Sequence, residues 1–196
     1  MILWGMAIED RRERERAARR DLIVATARKL AEAEGWEAVT TRRLSTEIEY
    51  SQPVLYKHFA GMEQIAAAVA IDGFGELADA LRAANSGAGA AGDALGRVAQ
   101  AYLDFNRDHP AVYDAMFLRA TTLQFATDET PPQLSAAFAV LSEAVGDAAG
   151  GRDAQTLTEV FWAALHGLAV LTRTGRLRPG YESERLQLLV DRFTRA

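Results

Sequence analysis

The chain has 196 residues, is 49% hydrophobic and 25% charged, and carries a net charge of −5. That is enough apolar material for a packed core, so disorder is not the default, and the acidic balance argues against a chain that coats nucleic acid wholesale. It has no cysteine, which excludes a disulfide framework and thiolate metal sites and fits a reducing compartment. No apolar run approaches the ~20 residues that a membrane span requires. The opening "MILWGM" is too short and too quickly followed by charge to read as a signal peptide, so the expected location is cytoplasmic, with Met6 an alternative start. Charge is uneven: the first 59 residues carry 11 Lys and Arg against 10 Asp and Glu, and the remainder carries 11 against 17. Contact with nucleic acid is therefore expected in the first third.

Ala, Leu, Arg and Glu dominate, and strand-like alternation is absent, so the expected fold is all-α. The first helix is predicted from about Ala7 to Glu34, with the first residues disordered. Its N-terminal half, "EDRRERERAARRD", is charged on all sides. Its arginines, from Arg11 to Arg20, are either a salt-bridge-laced exposed face or DNA-backbone contacts. Ile23, Ala27, Leu30 and Ala31 then form one apolar face. Gly35 is placed to stop this helix as a left-handed cap. Thr40 can cap a short second helix, Thr41 to about Ile48, that buries Leu44 and Ile48.

After a break at Glu49-Tyr50, Ser51 can cap a third helix of about seven residues. Pro53 then falls in the first turn, where backbone N–H groups have no helical partner and proline's missing donor costs little. Leu55 and Phe59 point inward. Gln52, Pro53, Tyr56, Lys57 and His58 remain outside. Two short helices joined by a tight break, the second with polar and aromatic groups at its head, form a helix-turn-helix. In that motif the second helix enters the major groove.

A fourth helix is predicted from Met62 to about Ala84, with Gly73 and Gly75 in its middle marking a bendable segment or a small-residue wall. Loops follow at 84–93, 127–133, 146–153 and 174–181. The aromatics Phe74, Tyr102, Phe105, Tyr113, Phe117, Phe138, Phe161 and Trp162 lie at helical spacings. Such residues are usually core, but spread over several helices they can also line a cavity for a small apolar ligand. Arg119, Thr121, Thr122, Gln124 and His166 are its candidate polar anchors, although a histidine in an apolar run such as "WAALHGLAVL" is more often a hydrogen-bonded core or interface residue than a ligand group. The helix from about Ala154 to Thr174 is apolar nearly all round, so one chain cannot cover it. With the last helix it is expected to form a two-fold interface through Ala164, Gly167, Leu168, Leu171, Leu186, Leu189 and Phe193. His58, His109 and His166 show no metal spacing, and no nucleophile motif or glycine loop appears, so neither metal nor cofactor is expected.

The stretch "ARRDLIVATARKLAEAEGWEAVTTRRLSTEIEYSQPVLYKHFAGMEQI" resembles the DNA-binding head of the tetracycline-repressor (TetR) family, through Gly35-Trp36, Thr40-Thr41, Ser51, Leu55-Tyr56, His58-Phe59 and Glu63. "FWAALHGLAVLTRTGRL" is similar to the Trp-x-x-x-His-Gly helix of many members' C-terminal domains, and "HPAVYDAMF" to their sixth helix. Two positions depart from the family pattern. Glu49-Tyr50 stands where Gly-Val is usual, and Met62 stands where a lysine commonly meets phosphate.

The resemblance implies a DNA-binding domain over residues 1–60 and a ligand-binding and dimerisation domain over 61–196. It also implies a homodimer on a near-palindromic DNA operator, repressing until a mainly apolar, uncharged or weakly anionic effector releases it. On that reading Gln52, Pro53 and Lys57 read base edges, while Thr41, Arg42, Arg43, Ser51, Tyr56 and His58 hold phosphate or position the helix. The effector sits among Phe74, Tyr102, Phe105, Phe117, Phe138 and Trp162, anchored by Arg119 or His166. The alternative reading is an all-α carrier or enzyme that uses the C-terminal cavity.

Overall fold

The computed structural model describes residues 2–87, 91–119, 123–124, 127–146 and 149–194, and among them the regular structure is entirely helical. Three helices and a 3₁₀ turn make the N-terminal head: α1 (Ile2–Glu34), the turn Trp36–Ala38, α2 (Thr41–Glu47) and α3 (Gln52–Tyr56). The body comprises α4 (Met62–Asn85), α5 (Ala91–Asp108), α6 (Pro110–Phe117), α7 (Pro132–Gly146), α8 (Ala154–Arg173) and α9 (Glu182–Thr194). Helix α4 is the hub, packing on α1, α5, α6 and α7.

Helix α1 extends to Ile2, ahead of the start expected near Ala7. Once a helix is nucleated, adding residues costs little, so a charged stretch can continue it without burying anything. From Glu9 to Leu22 every residue is exposed; the buried face begins at Ile23 and Val24 and continues through Ala27, Leu30 and Ala31. Gly35 has φ 83 and ψ 162, a positive φ but not the left-handed helical cap expected. This extended turn carries Trp36 directly back under α1.

In the head, Leu44, Leu55 and Phe59 are at most 2% exposed and close a small core with Ile23, Leu30, Trp36 and Val39. Each such apolar side chain contributes roughly 1.5–3 kcal/mol. The Thr40 hydroxyl accepts from the Arg43 N–H at 3.1 Å, as its capping position predicts. Ser51 differs: it is the N-cap of α3 by backbone geometry, but its hydroxyl makes no cap hydrogen bond. Helix α3 is also shorter than expected, giving way after Tyr56 to a turn at Lys57-His58. Glu49 adopts φ 56, the one positive-φ non-glycine among the described residues. With a side chain there, the tight break costs on the order of 1 kcal/mol relative to glycine.

Gly73 faces α6 as a small-residue wall. A Cβ there would lie 2.4 Å from Val112 Cγ1 and 2.9 Å from Met116 Sδ, so the missing side chain is what lets α4 and α6 approach. Gly75 has no such constraint: its Cβ would meet Gln133 Cγ at 3.8 Å. In α8, Asp153 caps the start by accepting from the Thr156 N–H at 2.8 Å.

Candidate functional site

Two candidate sites are present, one on the head and one in the body. The first is the outer side of the head. Gln52, Pro53, Tyr56 and Lys57 are exposed, and His58 is half-buried. Tyr56, at 53%, is among the most exposed large aromatics described. A ring left in water beside a lysine and a glutamine has no packing reason to be there, but it suits phosphate and base contact. Thr41 is half-buried and Arg42 exposed at the head of α2.

Arg43 is already engaged: it donates to Glu47 at 2.9 Å and to Glu34 at 3.2 Å, bracing α2 against α1. The Ser51 hydroxyl is exposed and unused by the helix, leaving it open to an external partner. Arg20 donates to the His58 carbonyl oxygen at 3.2 Å and lies over the Phe59 ring at 4.2 Å, tying the end of the third helix to α1. Burial, then the nearby cations Arg16, Arg19, Arg20 and Lys57, hold the His58 imidazole below its ordinary pKa. A polyanion laid along this surface would reverse the electrostatic part of that shift.

The second site is a cavity of about 870 Å³ in the body. Its walls come from Phe74 and Leu77 of α4, Tyr102 of α5, Phe117 of α6, Phe138 and its neighbours on α7, and Trp162 and His166 of α8, together with Thr127 and Thr130. The volume suits a drug-sized molecule, and the surface is mostly apolar. Phe117 is its aromatic centre, 5.2 Å from the Phe74 ring, 5.9 Å from Trp162 and 5.4 Å from His166.

Two residues expected here lie elsewhere. Phe105 is buried behind the wall, its ring 5.0 Å from the His109 ring. Arg119 lies over the Trp36 ring at 5.1 Å and reaches Glu37 at 3.9 Å, so it serves the junction with the head rather than the cavity. Gln124 is exposed and absent from the lining, while Thr121 and Thr122 fall outside the described residues. The sequence reading missed the α7 wall, Leu134, Ser135, Leu141 and Ser142, and the polar pair Gln155 and Glu159 of α8. The i, i+4, i+7 spacing of Leu134, Phe138 and Leu141 was the signal available.

A chain of hydrogen bonds runs through three residues of the cavity wall and through Tyr113, which is not in the lining. Trp162 Nε1 donates to the Tyr102 hydroxyl at 3.0 Å, Tyr102 and Tyr113 hydroxyls are 2.9 Å apart, and Tyr113 meets His166 Nδ1 at 2.7 Å. An indole can only donate, so the Tyr102 hydroxyl accepts from Trp162. The arrangement that gives every hydroxyl an acceptor has Tyr102 donating to Tyr113 and Tyr113 donating to Nδ1. The opposite order would leave the fully buried Tyr102 hydroxyl without an acceptor, at a cost of roughly 1–3 kcal/mol. Burial pushes the Tyr102 phenol up to about 12 and raises Tyr113 as well, so both keep their protons. Burial, then Arg173, pushes His166 down toward its neutral form. With Nδ1 accepting from Tyr113, Nε2 is the nitrogen that carries the ring proton.

Helix α6 joins the two sites. Glu32 of α1 accepts from the backbone N–H groups of Ala111 and Val112 at 3.0 and 3.1 Å. These are orphan donors of the first turn, so a carboxylate from across the fold caps the helix. Trp36 Nε1 donates to the Ala111 carbonyl oxygen at 2.7 Å. Arg28 grips Glu76 of α4 with both guanidinium nitrogens, one at 2.9 Å, and comes within 3.5 Å of His109 Nδ1. From the other side Arg173 of α8 donates to the Pro110 carbonyl oxygen at 3.0 Å and pairs with Asp114.

The dimerisation candidates fall on α8 and α9. Leu171 is exposed; Ala164, Gly167 and Leu168 are half-exposed. Leu186 is buried within the chain, and Phe193 packs on Phe161 with centroids 4.9 Å apart. Two residues outside that set are more exposed: Val160 at 55% and Leu188 at 61%. No described helix is long and apolar enough to cross a membrane, and no group of three or more His, Asp or Glu side chains among the described residues could hold a metal ion.

Residues 23–69 match the family model "Bacterial regulatory proteins, tetR family", and residues 95–193 match "Tetracyclin repressor-like, C-terminal domain". The chain is 30% identical over 156 residues to the HTH-type transcriptional regulator Rv0681 of Mycobacterium tuberculosis, covering 80% of this chain and 71% of that one. It is 34% identical over 99 residues to the HTH-type regulator YobS of Bacillus subtilis, covering half of each. Among solved structures, a protein of unknown function from Rhodococcus sp. RHA1 superposes with a TM-score of 0.75 at 25% identity, covering 90% of this chain and 93% of the other.

Proposed function

Because the chain belongs to the TetR family of bacterial transcriptional regulators, we propose that it is a repressor, released from DNA by a small, mainly apolar effector. It acts in the cytoplasm as a homodimer on a near-palindromic double-stranded operator. The head (residues 1–60) reads DNA, and the body (61–196), of the Trp-x-x-x-His-Gly type, binds effector and dimerises. The dimer sets two copies of α3 into successive major grooves roughly 35 Å apart. Gln52, Pro53 and Lys57 meet base edges, while Thr41, Arg42, Ser51, Tyr56 and His58 meet phosphates.

The observation that carries this reading is the double attachment of α6. One helix supplies Phe117 to the cavity and receives Glu32 and Trp36 of the head at its other end. Helix α4 is constrained in the same way, bearing Phe74 in the cavity wall and starting three residues after Phe59. An effector that prefers a shifted α6 or a tilted α4 changes the separation of the two heads. It can do so only by its difference in affinity for the two arrangements.

Fluorescence anisotropy of a labelled duplex from upstream of the protein's own gene tests the proposal. Saturable, salt-sensitive binding reversed by an apolar compound is expected. Failure to bind any duplex above its non-specific affinity contradicts it.

A further inference from the structure

We infer that the effector carries an uncharged hydrogen-bond acceptor, such as a ketone, ester or amide oxygen, to which Nε2–H of His166 donates. This rests on the reading of the cavity as the effector site. The His166 ring lines the cavity, whereas Tyr113, its Nδ1 partner, lies behind the wall. The edge that carries Nε2 is therefore the edge left for a ligand. Nε2 is not among the fully enclosed polar atoms that lack a partner. The Trp162–Tyr102–Tyr113 chain ends by donating to Nδ1, so Nε2 must present a proton, not a lone pair.

The rest of the lining decides the charge. The described lining residues include no Lys or Arg, and their one ionisable carboxylate is Glu159. An anionic ligand would give up its hydration among five aromatic rings, facing a carboxylate and no cation, which is strongly unfavourable. Arg119, which would have offset such a charge, is not in the lining and lies toward Trp36 and Glu37. A purely apolar molecule would fill the space but leave the Nε2 donor unpaired. A neutral acceptor satisfies both conditions.

The same geometry gives the ligand a route to the head. His166 holds Tyr113, which sits in α6 one residue beyond Val112, the residue whose N–H Glu32 accepts. A ligand that pulls on the imidazole pulls on the helix that the head grips.

Four pyrene probes matched in shape separate the possibilities on the intact protein: 1-acetylpyrene, 1-ethylpyrene, 1-pyrenecarboxylate and 1-pyrenylmethylammonium. Binding is read from pyrene fluorescence. Acetylpyrene is expected to bind about three- to tenfold more tightly than ethylpyrene, as one added hydrogen bond allows, with the carboxylate weakest. His166→Phe should bring the acetyl-to-ethyl ratio close to one. In the unaltered protein, ¹⁵N resonances of His166 should show a protonated Nε2 and a bare Nδ1, independently of any variant's folding. Equal binding of acetyl- and ethylpyrene, or tightest binding of either charged probe, overturns the inference while leaving the cavity an effector site. Binding of none of the four at saturating probe overturns the cavity reading itself.

Discussion

The indole N–H of Trp36 meets the carbonyl oxygen of Ala111 at 2.7 Å, a buried hydrogen bond between the 3₁₀ turn that closes α1 and the first turn of α6. The same oxygen also accepts within the helix, so removing the indole donor loses one hydrogen bond without leaving the carbonyl unpaired. Trp36→Phe should therefore lower unfolding free energy by roughly 0.5–1.5 kcal/mol from that bond. Glu32→Gln should also destabilise, because the amide offers one acceptor oxygen where the carboxylate offers two, and no charge to the helix dipole. Urea denaturation checks both, and unchanged midpoints would show that the head is not fastened through α6.

The two glycines of α4 make a paired prediction. Gly73→Ala must displace Val112 or Met116 and should destabilise by roughly 1–3 kcal/mol, as overpacking does. Gly75→Ala meets only an ordinary contact and should be neutral or stabilising, by up to ~1 kcal/mol from helix propensity. Thermal melts of the two variants should move in different directions or by clearly different amounts.

Acidification should weaken the fold through His166. Burial, then Arg173, holds its pKa below the ordinary 6.5, so the unfolded chain takes up the proton first as pH falls. The neutral ring costs nothing above that value. Stability begins to drop below about pH 6.5 and continues to drop until the folded imidazole also titrates, when Tyr113 loses its acceptor. His166→Gln should show a shallower fall in melting temperature between pH 7 and pH 5 than the unaltered chain. Parallel curves would contradict this assignment.

The apolar strip on α8 and α9 predicts the assembly. Val160 and Leu188 are exposed by more than half, with Leu171, Ala164, Gly167 and Leu168 on the same helix as Val160. By light scattering the unaltered chain should be a dimer, and Val160→Arg combined with Leu188→Arg should yield a folded monomer. A dimer in both would place the interface elsewhere.

The sequence made the head legible because its signals are local. Thr40 as a cap, Pro53 in a first turn, Leu44 and Leu55 inward and Tyr56 outward are decided within a few residues of each position. The cavity was legible in type but not in membership. Helical spacing places Phe105 and Phe117 on apolar faces, but not the rotation of α5 and α6 about their axes, so only Phe117 reaches the space. Arg119 was read as an anchor from its place after an aromatic helix. The attraction of Trp36, 83 positions earlier in the chain, could not be read from spacing. Glu32, Trp36 and Ala111 come together only through tertiary packing, so the connection between head and cavity stayed invisible until the helices were placed.

In the proposed function Gln52 of α3 and Lys57, directly after it, read the DNA bases. Selection from a randomised duplex pool, followed by sequencing, tests it most directly. The unaltered protein should enrich an inverted repeat with half-site centres one helical turn apart. Lys57→Ala should weaken binding to that sequence by roughly 1–3 kcal/mol, and Gln52→Ala should relax the preference at one position in each half-site. Enrichment of the same sequence, with the same affinity, by all three proteins would contradict the claim.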